Sequence, residues 1–187
     1  QIEGNSNSLT IRVTHPFVRS RGENLNGYLG FTSRNSKTDL LNSNITTDRL
    51  RILNIGAAYD FVDRYRGVNL ISVDLAKGMD FMGATGPGSA NLSRADGRSD
   101  FTKLSGEILR LQQLGLGLSF LTSFTWQYAF DVLLSSEEFG LGGSQLVRAY
   151  DPSEITGDNG TAIKMELQKG IKKIFDPNQI LNPGKIF

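Results

Sequence analysis

Apolar and polar residues alternate over several stretches of the first 128 residues, and this pattern limits the possible folds most. In the clearest stretch, the even positions from Leu116 to Tyr128 are mostly apolar or aromatic, and the odd positions from Ser119 to Gln127 are mostly polar. Successive side chains of a β-strand point to opposite faces, so a period of two predicts strands with one apolar and one polar face. The chain is therefore predicted to be all-β.

The same alternation recurs along the chain at spacings typical of an antiparallel meander. The predicted strands cover 9–18, 25–32, 53–61, 71–76, 101–111, 116–128 and 132–141, with turns or loops at 19–24, 38–48, 63–67 and 80–100. If residues 132–141 form a strand, the loop at 80–100 and the loop around Arg148 lie at opposite ends of the sheet.

Composition excludes several classes of function. The net charge of +1 argues against a nucleic-acid surface, which needs clustered lysine and arginine. The chain has no cysteine, so neither a disulfide framework nor a thiolate metal site is expected. A single histidine, His15, leaves little scope for a metal cluster or a catalytic triad, and a place on a strand face suits it better. We expect no catalytic residue, metal or cofactor.

Alternation alone fits either a soluble β-domain or a membrane β-barrel. No apolar run reaches the roughly 18–20 residues of a transmembrane helix, but barrel strands need only about 9–11 alternating residues. The polar face is rich in Ser, Thr, Gly, Asn and Gln, as expected for a water-filled lumen. Trp126 and Tyr128 at the end of a strand suit an interfacial aromatic girdle.

Residues 133–160 contain four short motifs in a fixed order, and together they are far more specific than any one alone. The motifs are Leu133-Leu134-Ser135-Ser136-Glu137, Phe139-Gly140-Leu141-Gly142-Gly143, Val147-Arg148-Ala149-Tyr150 and Gly157-Asp158-Asn159-Gly160. Residues 16–21 and 101–104, upstream of these motifs, belong to the same pattern. Over roughly residues 1–162 the chain resembles the two-partner-secretion transporters, which are outer-membrane β-barrels that export haemolysins and adhesins. Ala149 stands where that family usually has glycine.

The resemblance implies an outer-membrane location and a partial antiparallel transmembrane β-barrel of about seven to eight strands. It implies a haemolysin- or adhesin-like secreted protein and outer-membrane lipid as partners, and no nucleic acid. Periplasmic POTRA domains, which capture the substrate in the family, are not visible here. The loop bearing Arg148 is expected to fold into the lumen and pair with an aspartate on a later strand. The implied lumen-loop residues are Gly142, Gly143, Val147, Arg148, Ala149, Tyr150, Gly157, Asp158 and Gly160.

The last residues show a different pattern. Ile163, Leu167, Ile171 and Ile174 have helical spacing, although residues 161–168 would also suit a further barrel strand. Residues 170–187 resemble the C-terminus of FAD-linked oxidases of the glycolate oxidase and D-lactate dehydrogenase type. This divides the chain into a barrel segment, 1–161, and a short helical tail, 162–187.

The absence of an initiator methionine and of a signal-like start indicates a truncated transporter. A partial barrel leaves two strand edges with unpaired backbone groups, so we expect the fragment not to function by itself. The alternative functions are an FAD-linked oxidoreductase fragment, supported by the tail only, and a soluble β-domain that binds a ligand. Asp151, Glu154 and Asp158 are expected to be solvated loop residues.

Overall fold

The computed structural model describes residues 2–41, 43–86, 88–142, 151 and 153–169. Seven strands form one antiparallel sheet in the order β1-β2-β3-β4-β5-β6-β9, and β7 pairs with β8 in a separate hairpin. None of the described residues forms a helix long and apolar enough to cross a membrane. The elements are β1 (Ile2–Arg19), β2 (Glu23–Leu40), β3 (Ser43–Val62), β4 (Val68–Gly78), β5 (Thr102–Gly115), β6 (Leu118–Ala129), a 3-10 helix (Ser135–Glu137), β7 (Phe139–Leu141), β8 (Ile155–Gly157) and β9 (Gly160–Lys169).

One face of the main sheet, which we call the outer face, is apolar and exposed. Its side chains stand in cross-strand rows, and in one row Val13, Leu29, Ile55 and Leu75 are aligned from β1 to β4. These four side chains remain between 39% and 69% exposed. Along β3 the apolar outer positions run from Leu53 to Phe61, which matches the roughly 9–11 residues that a barrel strand needs to cross a bilayer. The predicted alternation is confirmed, and this face has the character of a lipid-facing surface.

The opposite face, which we call the inner face, carries polar side chains that bond to one another. Asp74 accepts hydrogen bonds from the Tyr28 hydroxyl at 2.7 Å and from the Asn54 amide at 3.0 Å. The Arg12 guanidinium lies 4.3 Å from the centre of the Tyr28 ring. Serine, threonine and glutamine side chains of β5 and β6 continue this polar surface. Such a face suits the water-filled lumen of a barrel.

The sequence predicted a consistently polar inner face, but the structure shows an apolar part as well. At one end it carries a dry cluster made by β3, β4 and β6 together with residues from the loops above them. Phe101, Leu133 and Leu134 are fully buried in it. The cluster consists of Leu50, Ile52, Ala76, Phe101, Ala129, Leu133 and Leu134. A local hydrophobic core therefore attaches the loops to the inside of the sheet.

Both long connections, 79–101 and 130–159, leave the sheet at the same end, which we call the loop end. The connections at the other end, the turn end, are short and include residues 20–22 and 63–67. The prediction that the two long loops lie at opposite ends is wrong, because residues 132–141 do not form a strand of the main sheet. Leu133 and Leu134 are adjacent in sequence and both buried, which a two-faced strand does not allow.

The segment 38–48 was predicted to be a loop, and this is wrong. β2 and β3 stay paired up to Leu40 and Ser43, so the hairpin extends well past the apolar belt. Side chains of the two strands support the extension: Lys37 lies 2.8 Å from Asp39, and Asn44 donates to Asp39 at 3.1 Å. Asparagine and threonine are typical of loops by composition, but paired strands beyond the apolar belt tolerate them.

The helical spacing assigned from Ala162 is wrong for the residues that the structure describes. Residues 160–169 form β9, which pairs antiparallel with β6, as the alternative interpretation allowed. Ile163, Met165 and Leu167 lie on the outer face and are 64–65% exposed. Lys164 and Glu166 lie on the inner face and form an ion pair at 3.2 Å. Strand β9 crosses the predicted boundary at 161/162, and residues 170–187 lie outside the described residues.

Candidate functional site

The connection between β6 and β9 folds back against the inner face instead of extending into solvent. We call its described residues 133–142 and 153–160 the stem. Leu133 and Leu134 begin the stem in the dry cluster, where both are fully buried. The backbone N–H of Ser135 then donates to the Ser93 hydroxyl at 3.0 Å. Burial of these two leucines stabilises the start of the stem against the inner face of the sheet.

Glu137 is the main electrostatic contact between the stem and the sheet. Its carboxylate lies 2.7 Å from the Arg34 guanidinium of β2 and 2.8 Å from the Lys103 ammonium of β5. The Glu137 side chain is only 8% exposed, and that of Lys103 only 14%. Its backbone carbonyl also accepts a hydrogen bond from Gln127 of β6 at 3.1 Å. Glu137 thus joins the stem to three strands of the inner face. Its contacts with Arg34 and Lys103 are charge-assisted, and such bonds are stronger than neutral ones.

After Glu137 the stem forms the short hairpin β7–β8, in which Phe139 is aligned with Gly157. Glycine is needed at its open end: Gly142 has a φ of +130°, and a Cβ there would overlap the carbonyl oxygen of Asp151. This close approach brings together the two chain ends that flank residues 143–150. The predicted site residues Gly143, Val147, Arg148, Ala149 and Tyr150 lie outside the described residues.

The motif at residues 157–160 locks the second half of the stem. Asp158 accepts two bonds from the Arg94 guanidinium, at 2.5 and 3.4 Å, and one from the backbone N–H of Leu133 at 3.0 Å. Asn159 accepts from the backbone N–H of Ala129 at 2.7 Å. Gly160 lacks a side chain where the Phe139 ring lies, so a Cβ there would overlap the ring. Asp158, Asn159 and Gly160 therefore each have a structural role.

The expectation that Asp158 is solvated is wrong. Partial burial of Asp158 raises its pKa, but the hydrogen bonds from Arg94 and from Leu133 outweigh this and hold the pKa below its usual value. Asp158 is therefore charged at neutral pH and joined to a cation of another loop. The Glu154 carboxylate accepts a bond from the Asp151 backbone N–H at 3.3 Å, and the Glu154 backbone N–H donates to the Asp151 carbonyl at 3.2 Å. Both residues are exposed, as expected.

Sequence reasoning missed Arg94, which links the loop 79–101 to both halves of the stem. Besides Asp158, its guanidinium contacts the Glu138 carboxylate at 3.2 Å and donates to the Leu133 carbonyl at 2.8 Å. The pKa of Arg94 is raised, mainly by the bond to Asp158. Nothing in the sequence around Arg94 distinguishes it from the other loop arginines, because its partners are 39 and more positions away.

A polar cavity of about 250 Å³ lies beside the stem on the inner face. Tyr28, Asp74, Glu107 and Gln127 line it from the sheet, and Phe139 closes it from the stem. Among the described residues no cluster of His, Cys, Asp or Glu is arranged to hold a metal ion. The arrangement offers hydrogen-bonding groups and fixed charges along a polar channel wall.

The comparisons with known proteins agree with this geometry. The sequence profile of the haemolysin secretion/activation proteins ShlB/FhaC/HecB matches residues 1–182. The chain belongs to this family. Its members are outer-membrane β-barrel transporters. A search among curated proteins found no match.

Two solved structures have a similar fold. CdiB from Escherichia coli shares 22% identity with a TM-score of 0.78, over 88% of this chain and 30% of that chain. CdiB from Acinetobacter baumannii shares 20% identity with a TM-score of 0.71, over 90% of this chain and 29% of that chain. The chain thus spans about 30% of the length of these transporters, and its open sheet corresponds to part of a barrel.

The family match also bears on the tail. It runs through residue 182 and so includes most of the segment that resembles FAD-linked oxidases. The oxidase resemblance finds no support in the comparisons. The described part of the tail, residues 162–169, is a barrel strand with a lipid-facing and a luminal side.

Proposed function

We propose that this chain forms part of an outer-membrane translocator of the two-partner-secretion type, which exports a haemolysin- or adhesin-like protein through its barrel. The observation that carries the proposal is the stem, which lies against the inner face and is joined to three of its strands through Glu137. A loop held inside a polar barrel occupies the route that an exported chain would take.

The contacts of the stem suit a loop that is held but can be released. Arg34 is 31% exposed and Arg94 is 32% exposed, so water reaches one of the two cations that bind Glu137 and the cation that binds Asp158. Ion pairs that are partly hydrated contribute less than fully buried ones. Passage of a substrate can therefore be coupled to displacement of the stem without energy from a nucleotide.

Within this proposal, Arg148 at the tip of the loop binds a carboxylate of a later barrel strand. A guanidinium forms two parallel, charge-assisted bonds with a carboxylate, which gives the contact both strength and direction. Gly142, Gly143, Val147, Ala149, Tyr150, Gly157, Asp158 and Gly160 would shape and anchor the loop around it. For Gly142, Asp158 and Gly160 the contacts described above support this role.

The outer face defines the second partner class, membrane lipid. Rows of exposed aliphatic side chains end near aromatic rings at both ends of the sheet: Phe31 and Phe81 are 5.9 Å apart at the loop end, and Tyr59 and Phe61 are 4.9 Å apart near the turn end. Girdles of this kind mark the two interfaces of a membrane-spanning barrel.

Export and the role of Arg148 are tested together in the complete transporter. We expect Arg148→Ala to reduce secretion of the partner protein at least tenfold, because a bidentate charge-assisted contact is worth about 1.5–3 kcal/mol. Arg66→Ala, at an exposed position of a turn, is the control and should secrete normally. Normal secretion by Arg148→Ala, at equal amounts of assembled barrel, would refute the role of the arginine. Partitioning of the transporter into the aqueous phase of a detergent extraction would refute the translocator itself.

A further inference from the structure

A cation-lined cavity lies on the outer face just beyond the apolar belt, on the loop-end side. It has a volume of about 460 Å³ and is lined by residues of β1, β2 and β3 and by the loop after β4. Arg49, Arg51 and Lys37 supply its cations, and Asn7 and Asn35 supply side-chain amides. Nothing in the proposed export function requires this cavity, because it faces away from the lumen.

The register of the sheet places the cavity at the level where the membrane ends. On β2 and β3, the outer pair Phe31 and Leu53 is apolar, and the next outer pair toward the loop end is Ser33 and Arg51. The Phe81 ring, from the loop after β4, packs on Phe31 at the same level. On these two strands polar side chains thus replace apolar ones within one step, as at the boundary between acyl chains and headgroups.

Arg51 is the clearest sign that the cavity accepts a ligand. The residue is only 7% exposed, yet its Nε–H is buried without a hydrogen-bond partner among the described residues. One of its terminal nitrogens donates to the carbonyl of Leu50 at 2.7 Å and to the Asn35 amide oxygen at 3.0 Å, so the guanidinium is fixed in place. A buried donor left unpaired is costly. Because Arg51 also lines the cavity, its fixed guanidinium favours an acceptor with several oxygens there.

The surroundings of Arg51 favour an anion. Arg49, the next outer cation on β3, is exposed, and its backbone is held by the Thr85 hydroxyl at 2.7 Å. Lys37 is paired with Asp39 at 2.8 Å, and Glu3 and Asp39 lie toward the far end of the hairpin in a neighbouring cavity. The carboxylates therefore lie on one side of the site, and the two arginines dominate the side nearest the membrane.

We propose that this cavity binds a phosphate group, supplied by the headgroup of a lipid in the leaflet at the loop end. Arg51 and Arg49 bind the phosphate oxygens, the asparagine amides bind neighbouring hydroxyl groups, and the acyl chains lie along Leu53, Phe31 and Ile11 below. Arginine presents planar, paired donors that match phosphate geometry. The inference rests on the membrane location of the strands and is independent of protein export.

The test uses the transporter isolated in detergent, with binding measured by microscale thermophoresis. Longer loops of outer-membrane barrels lie on the extracellular side, so the loop end is assigned to the outer leaflet. The probes are therefore bisphosphorylated lipid A, lipid A with both phosphates removed, and inorganic phosphate. We expect Arg49→Gln to weaken binding of the phosphorylated lipid about tenfold, the effect of one lost charge-assisted contact. Arg51→Gln is the second variant. Arg21→Gln removes the same charge at the turn end and should bind as the unaltered protein does. Melting curves establish that each variant is folded.

Each outcome decides the inference. A loss with Arg49→Gln, together with weak binding of the dephosphorylated lipid, supports the phosphate site. Competition by millimolar inorganic phosphate would support phosphate recognition but assign a free anion as its source, whereas no competition assigns the lipid. Equal binding of both lipids, or binding unchanged in both Arg49→Gln and Arg51→Gln, would overturn the proposal.

Discussion

Replacing Glu137 with glutamine should release the stem from the inner face. The substitution keeps the shape of the side chain but removes the charge that Arg34 and Lys103 share. Loss of one partner of a buried ion pair costs about 3–5 kcal/mol when the remaining charge is fully buried. Lys103 is 14% exposed and keeps a bond to the Glu137 carbonyl at 3.0 Å, and Arg34 is 31% exposed, so both losses are reduced. We therefore expect a cost of about 2–3 kcal/mol.

A cost of this size increases the population of the released stem roughly 30- to 150-fold, since about 1.4 kcal/mol corresponds to a factor of ten. Hydrogen exchange of the transporter in detergent micelles measures this population directly, because amides that open locally exchange in proportion to it. The backbone amides of residues 135–142 should exchange faster by that factor in Glu137→Gln, and those of β3 should not change. Glu154→Gln, an exposed acid of the same connection, is the matched control.

Unchanged exchange of residues 135–142 in Glu137→Gln would refute the reasoning, because it would mean that the leucine pair and Arg94 hold the stem alone. Equal acceleration in the Glu154→Gln control would also refute it, since the effect would then follow from net charge. If β3 exchanged faster as well, the substitution would have destabilised the sheet, and the ion pairs would belong to the fold and not to a releasable loop.

Two further predictions concern the ends of the stem. Because the folded pKa of Asp158 is lower than its unfolded value of 3.8, the stability it contributes is present in full above about pH 5 and is lost as the pH falls below 4. Exchange of the stem amides should rise over that range, and Asp158→Asn should reduce the dependence. Gly142→Ala should lower the thermal midpoint more than Gly83→Ala does: both glycines have positive φ, but a Cβ at Gly142 overlaps the Asp151 carbonyl, whereas at Gly83 nothing lies within 4 Å. Equal midpoints for the two alanine variants would contradict the close approach at Gly142.

The alternating pattern predicted the parts of the fold that depend on one strand at a time. Val13, Ile55 and Phe124 all lie on the outer faces that alternation assigned to them, because the two-residue repeat of a strand is local. The polar composition of residues 38–48 predicted a loop, but these residues continue the β2–β3 hairpin beyond the apolar belt. Helical spacing misled it at Ile163 and Leu167, since positions four apart also share one face of a strand.

The candidate site could be predicted only in part. The motifs located Glu137 and Asp158, but their partners Arg34 and Arg94 lie 103 and 64 positions away in the chain. Such contacts depend on how strands align and how loops fold back, which no local pattern contains. The sequence also failed to place the two long loops at one end of the sheet. Successive strands of a meander run in opposite directions, so counting residues 132–141 as one more strand moves the following loop to the other end.

The long hairpin of β2 and β3 has a mechanical consequence. A strand rises about 3.3 Å per residue, so its 18 and 20 residues measure roughly 60 Å, about twice the thickness of the hydrocarbon layer. The excess extends beyond the apolar belt at the loop end as a ribbon whose backbone is already ordered. A protein that binds this ribbon would lose little binding free energy to the ordering of its target.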